Sequence, residues 1–265
     1  MGNESVLKPN RVKRTLKEGG VCYGTMFRLL NTPHAISLGA AAGWDYVILD
    51  TEHGDYNSSQ IADLSLVAKY EKITLLLRVP DKEYHLMARP LDLGIEGLIL
   101  PRVDTPQQVE EIIRSTRYAP EGERGASISP VASRYRNVSG REYMEWANRE
   151  LLNVIQVESE EALANLDALV SRSGIDATMI GPFDLSQDLG IPAELSHPRM
   201  VEAFRMVIKV CAAHGVAPGV HLQTVEDARR WVREGMQFMT VSHDIQLFRT
   251  ISRDLLSQLR AGEPD

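Results

Sequence analysis

The chain has 265 residues, 43% of them hydrophobic and 25% charged, with a formal charge of −7. That is enough apolar material for one sizeable core and the usual length of a single α/β barrel. The acidic balance offers no chain-wide attraction to nucleic acid or anionic membranes, so neither is expected as a partner.

From the N-terminus the sequence MGNESVLKPNRVKR is polar and lacks the apolar stretch of a secretory signal. No later run approaches the roughly 20 apolar residues that span a bilayer. Cys22 and Cys211 make neither a disulfide framework nor a structural zinc site, so a reducing cytoplasm is the expected compartment. Short apolar runs then recur at 21–26, 46–49, 74–77, 97–100, 154–157, 177–180, 216–220 and 238–241. Helical patterns lie between them, with start signals at Thr32-Pro33, Ser58-Ser59, Thr105-Pro106, Ser159 and Thr224. Continuous rather than alternating apolar strands imply a sheet covered on both faces, hence parallel strands with crossover helices. Eight units favour a closed (β/α)8 TIM barrel forming one domain over residues 1–265. A Rossmann-like open sheet stays open by count alone, although neither its glycine fingerprint nor a P-loop is present.

One segment breaks the rhythm. Residues 117–152 show no clear strand, while Tyr143, Met144 and Trp146 suggest that the second half forms a packed helix. A connection of this length is usually functional, and we expect a partly ordered lid or subunit contact beside the barrel mouth.

In a barrel, chemistry gathers where strands end and βα loops begin. Asp50, Thr51, Glu52 and His53 follow the second run, and Arg78 ends the third. Gln156 and Glu158 close the fifth, Gly181-Pro182-Phe183-Asp184 follows the sixth, His221 the seventh, and Ser242-His243-Asp244 the eighth. Glu158 and Asp184 follow neighbouring strands, so their carboxylates can converge on a hard cation such as Mg²⁺ or Mn²⁺. Equally, Asp184-x-x-Gln187 has the form of a capping box and Ser159 that of a cap with Glu158 as bystander; spacing leaves both readings open. His53 reads as an oriented general base or as a surface histidine. Arg78 reads as a stabiliser of an anionic oxygen or as a rim salt bridge. The turn at Gly181-Pro182 opens a short helix whose free N–H groups suit a carboxylate, or is an ordinary turn. No lysine stands at these strand ends, which argues against a Schiff-base mechanism.

Several motifs occur together and in order: Gly-Trp-Asp-Tyr-Val-Ile-Leu-Asp-Thr-Glu-His-Gly at 43–54, Arg78-Val-Pro80, Gly94-Ile-Glu-Gly97 with Pro101, Arg-Tyr-Ala-Pro-Glu-Gly-Glu-Arg-Gly at 117–125, Val157-Glu158 with Asn165, and Ile-Gly-Pro-Phe-Asp-Leu-Ser at 180–186. This set resembles the HpcH/HpaI aldolases. The resemblance implies a barrel of the phosphoenolpyruvate/pyruvate type and a class II aldolase. Such an enzyme cleaves a 4-hydroxy-2-oxo acid reversibly to pyruvate and an aldehyde through a metal-stabilised enolate. It implies Glu158 and Asp184 as ligands of Mg²⁺ or Mn²⁺, with Co²⁺ a further option, and Gln156 close to the metal. Pyruvate's carboxylate would meet backbone N–H groups near Phe183 and Asp184, within Gly181-Pro182-Phe183. Arg78 would face the enolate oxygen, and His53, oriented by Asp50, would transfer the proton. Asp92 falls where the family has an acid near a subunit boundary, and the family's assembly implies a homo-hexamer. His221 departs from the apolar residue that the resemblance leads one to expect in the aldehyde pocket, as does the loop 127–134, so a hydroxylated or acidic acceptor is expected. Oxaloacetate decarboxylation or C–C bond synthesis from the same enolate is the alternative, and a non-catalytic metabolite-binding barrel is a further one.

Overall fold

The computed structural model describes residues 6–261; the polar N-terminal start at 1–5 lies outside the described residues. Eight parallel strands close into one barrel in chain order: β1 (Cys22–Phe27), β2 (Tyr46–Asp50), β3 (Thr74–Arg78), β4 (Gly97–Leu100), β5 (Leu152–Val157), β6 (Ala177–Ile180), β7 (Gly219–Leu222) and β8 (Phe238–His243). Around them lie α1 (Arg11–Lys17), α2 (Pro33–Ala41), α3 (Ser58–Glu71), α4 (Tyr84–Asp92), α5 (Pro106–Thr116), α6 (Gly140–Glu150), α7 (Glu160–Ala164), α8 (Leu166–Val170), α9 (Pro182–Asp188), α10 (Pro198–His214), α11 (Val225–Glu234) and α12 (Asp244–Arg260). Among the described residues no helix is long and apolar enough to cross a membrane.

Each of the eight apolar runs contributes a strand, and apart from the half-exposed Tyr23 the strands are largely buried on both faces. Along β2, Tyr46 and Ile48 join the cluster inside the barrel, while Val47 and Leu49 join the one between strands and helices. That alternation turns the next residue, Asp50, inward. Inside, the rings of Tyr46 and Phe238 stack at 4.5 Å. Gly24 is required beside them, since a Cβ there would lie 2.2 Å from the Tyr46 ring.

β7 begins later than the apolar run at 216–220 suggests. Pro218 has no N–H to give to the ladder, so Ala217 makes only an isolated bridge and the strand starts at Gly219. Helix starts follow the expected caps at Thr105, Ser159 and Thr224. For α3 the cap is Asn57, paired with Gln60 in a capping box, and the Thr32 side chain makes no cap bond.

Of the two expectations for this segment, a lid or a subunit contact, the lid over the cleft is not what the structure shows. The segment from Arg117 to α6 joins the end of α5 to the start of β5, so it runs over the opposite end and the outer wall. Buried Arg117 donates to the carbonyls of Asn148, Leu151 and Gly174. Arg124 pairs with Asp92 at 2.6 Å, the Gly125 N–H donates to the Tyr84 hydroxyl, and Arg134 donates to the Lys69 carbonyl. Its second half is a helix, α6, which buries Tyr143 and Trp146 as expected.

α12 is the exception to compact packing. Only Asp244 is buried along its 17 residues, and Phe248, Ile251, Leu255 and Leu259 are 57–77% exposed on one stripe.

Candidate active site

The strand ends bring the sequence-derived residues to one mouth. A cleft of about 510 Å³ opens there, lined by Glu52, His53, Arg102, Asp104, Glu158, Ser159, Asp184, Gln187 and Asp188. No residue of 117–151 lines it.

On the β2–β3 side stands a ladder of alternating charge. Asp50, fully buried, accepts from Arg78 Nε at 2.8 Å and Nη2 at 2.7 Å, and from Arg28 Nε at 3.0 Å. Arg78 Nη1 lies 3.1 Å from Glu52, whose other oxygen meets Arg102 Nη1 at 3.3 Å. Burial alone would raise the Asp50 carboxyl, but the hydrogen bonds and charge of Arg78 outweigh it and hold the group below its usual value. Three guanidiniums against two carboxylates leave one net positive charge beside the cleft. Arg78 is thus both a rim ion pair and a fixed cation.

Asp50 does not orient the His53 ring as expected. Its remaining capacity goes to the backbone N–H groups of Glu52 and His53. The His53 ring is exposed in the cleft and makes no hydrogen bond among the described residues. Asp50 therefore fixes the turn that carries His53, not its tautomer.

On the β5–β6 side the Asp184–Gln187 capping box is not formed, whereas Ser159 is the cap that the capping reading expects. Ser159 caps α7 by accepting from Ala162 N–H, leaving Glu158 free to point inward. α9 starts at Gly181 with Pro182 as its first residue, so Asp184 sits inside the first turn and caps nothing. Glu158 is 8% exposed; its Oε1 accepts from Gln156 Nε2 at 2.6 Å and its Oε2 from the Arg102 N–H at 3.1 Å. Burial pushes its carboxyl up to about 7, with the Arg102 N–H opposing and the charges of Asp184 and Glu52 adding. Gly181 is needed here, since a Cβ would lie 2.4 Å from Glu158 Oε1. Gln156 Oε1 is buried without a donor among the described residues. Asp184 is exposed to the cleft, and its carboxylate makes no hydrogen bond among the described residues. Among the described residues the Phe183 and Asp184 N–H groups likewise have no backbone acceptor. The Phe183 ring is half exposed.

His221 lies between Val220 and Leu222, which both face the helices, so its ring enters the barrel. Nε2 stands 3.1 Å from the Ser242 carbonyl and must carry the hydrogen, which leaves Nδ1 as an acceptor. Burial first, then the charges of Arg78, His243 and Arg28, lower it to about 4 despite the Ser242 bond. It is neutral at pH 7. Asp92 stands apart, at the end of α4 on the outer wall with Arg124.

Residues 24–250 match the profile of the HpcH/HpaI aldolase/citrate lyase family. The chain belongs to this family. It is 32% identical over 247 residues to 5-keto-4-deoxy-D-glucarate aldolase of Escherichia coli O6:H1, covering 93% of this chain and 95% of that one. The structure of an HpcH/HpaI aldolase from Desulfitobacterium hafniense DCB-2 superposes with a TM-score of 0.90 at 30% identity, over 95% and 97% of the two chains. The citrate synthase SbnG gives 0.82 at 28% identity, over 95% and 98%. As an HpcH/HpaI protein this chain is a carbon–carbon lyase on a TIM barrel.

Sequence reasoning passed over Arg28, Arg102 and Asp104. Arg28 directly follows β1 and Arg102 follows β4 by two positions, the two strand ends whose polar residues were left unread. Asp104 is held by the Ser159 hydroxyl, and its carbonyl by Asn165 Nδ2 at 2.8 Å, where Asn165 separates α7 from α8.

Proposed function

We propose that the protein is a divalent-metal-dependent pyruvate aldolase that cleaves a 4-hydroxy-2-oxo acid reversibly to pyruvate and an aldehyde. One observation carries the reading: a buried carboxylate, Glu158, stands with the Gln156 amide oxygen on the side of the cleft where Asp184 lies, and neither that oxygen nor Asp184 has a hydrogen-bond partner among the described residues. Two carboxylates and an amide oxygen are hard donors, suited to Mg²⁺ or Mn²⁺, with Co²⁺ also accommodated. Glu158 and Asp184 would hold the ion, with Gln156 beside it. A bound divalent ion supplies Lewis acidity that disperses the charge of an enolate.

The remaining roles belong to the chain. The free N–H groups of Phe183 and Asp184 receive the pyruvate carboxylate across the turn at Gly181-Pro182. Arg78, fixed by Asp50 and Glu52, presents its charge to the developing anionic oxygen without needing to reorganise. His53 takes the proton from the 4-hydroxyl as the C3–C4 bond breaks; the bonding pair passes into the pyruvate enolate. His221, neutral and offering Nδ1 as acceptor, favours a hydroxylated rather than an anionic aldehyde. The likeness to citrate synthase SbnG supports a second reading, in which the same enolate forms a C–C bond; oxaloacetate decarboxylation would draw on that enolate too.

The exposed apolar stripe of α12 supports assembly as a homo-oligomer, with a hexamer as the family resemblance implies and Asp92 near a subunit boundary. Two buried free thiols, Cys22 and Cys211, support work in the cytoplasm. The functional test is pyruvate release from hydroxy-oxo acids and from oxaloacetate after EDTA treatment and metal add-back. Undiminished release after EDTA would sink the metal-dependent reading.

A further inference from the structure

Just beyond β4, Arg102 adopts φ +52°, a left-handed conformation that a long side chain holds only when its surroundings impose it. Four contacts impose it here. The Lys82 ammonium donates to the carbonyls of Pro101 at 3.1 Å and Arg102 at 3.0 Å. Arg102 Nη2 donates to the Pro80 carbonyl at 2.8 Å, and Nη1 pairs with Glu52. The outcome is that the Arg102 N–H points at Glu158 Oε2, 3.1 Å away.

The Pro101 carbonyl and the Arg102 N–H are the two ends of one planar peptide. The ammonium therefore pulls on the oxygen end of the same unit whose N–H end grips the carboxylate. Hydrogen bonds linked in series polarise one another, so the Lys82 charge strengthens a bond it does not touch. Glu158 Oε1 is held from the other side by Gln156 at 2.6 Å. Gly181 lets the carboxylate sit closer to the backbone than any Cβ would allow.

We infer that Lys82 is a positioning residue for Glu158, acting through the peptide that joins Pro101 to Arg102 to hold that carboxylate in a cation-binding orientation. This rests on the proposal that Glu158 binds a divalent ion. A plain surface lysine, solvated and only loosely near two carbonyls, would leave Glu158 unaffected. Groups that orient a metal ligand from behind typically change metal affinity by 10- to 100-fold when removed.

The test is a Mn²⁺ titration followed by electron paramagnetic resonance on the full chain, with thermal unfolding to check that each variant folds. Lys82→Met, which keeps the stem and loses the charge, is expected to weaken Mn²⁺ about tenfold. At saturating Mn²⁺ its kcat should stay near wild type, and Lys82→Arg should recover most of the affinity. Wild-type Mn²⁺ affinity in a folded Lys82→Met overturns the role of Lys82. Glu158→Gln supplies the separate control: if it binds Mn²⁺ as wild type does, the metal reading fails, whatever Lys82 does.

Discussion

On the β2–β3 side of the mouth each charged group is paired within the protein, whereas on the β5–β6 side the Asp184 carboxylate and the Gln156 amide oxygen have no partner among the described residues. Both sides bury a carboxylate, Asp50 and Glu158, yet burial has opposite results. Two hydrogen bonds and the charge of Arg78 hold Asp50 below its usual value, while Glu158, beside two like charges, rises to about 7. The first side is preorganised by the chain alone. The second holds carboxylates that no cation of the chain neutralises among the described residues, and it is the side on which the proposed divalent ion would sit.

Neutralising one carboxylate on each side should break this symmetry most visibly. Asp50→Asn strips a buried partner from Arg78 and leaves Arg28 and Arg78 facing each other, at an expected cost of about 3–5 kcal/mol. Glu158→Gln in metal-free protein should do the reverse. A carboxyl whose folded pKa is raised favours the fold while protonated, and that advantage is lost as pH rises from its unfolded value through about 7. The Gln variant should therefore be more stable than wild type above pH 7, by up to about 3 kcal/mol, while losing on the order of 10³-fold in pyruvate release. Thermal unfolding at pH 8 with EDTA reads both signs, and a destabilised Glu158→Gln would contradict the contrast.

A smaller effect sharpens it further. Cation binding needs the ionised form of Glu158, so Mn²⁺ affinity should rise about tenfold between pH 6 and 8 and level off above. Calorimetry at both pH values measures it; a pH-independent affinity would mean that Glu158 is already ionised without the ion. The smallest expected change concerns the aldehyde. His221→Leu removes an acceptor and should lower kcat/KM for hydroxylated aldehydes by up to about tenfold relative to apolar ones. Equal ratios in both proteins would exclude His221 from acceptor choice.

Association offers an independent check on α12. Phe248→Asp with Leu255→Asp should shift the protein to smaller species in light scattering, and an unchanged mass would remove that stripe from the assembly.

By itself the sequence determined the eight strands, because strands covered on both faces must be apolar without interruption. It also determined which acids, histidines and arginine stand at strand ends. It left Glu158 and Asp184 undecided, since helix starts and metal sites draw on the same acidic residues. Only the tertiary structure removed the capping box at Asp184, by starting α9 at Gly181, and turned Glu158 into the barrel behind the Ser159 cap. The long segment after α5 was visible as an interruption, but its place was not. An αβ connection returns to the end of the barrel away from the mouth, and that follows from topology, not composition. Arg28, Lys82 and Arg102 look like ordinary loop cations in one dimension. Their meaning depends on closure of the barrel, which brings the ends of β1 and β2 together around Asp50 and sets the loops after β3 and β4 beside the end of β5.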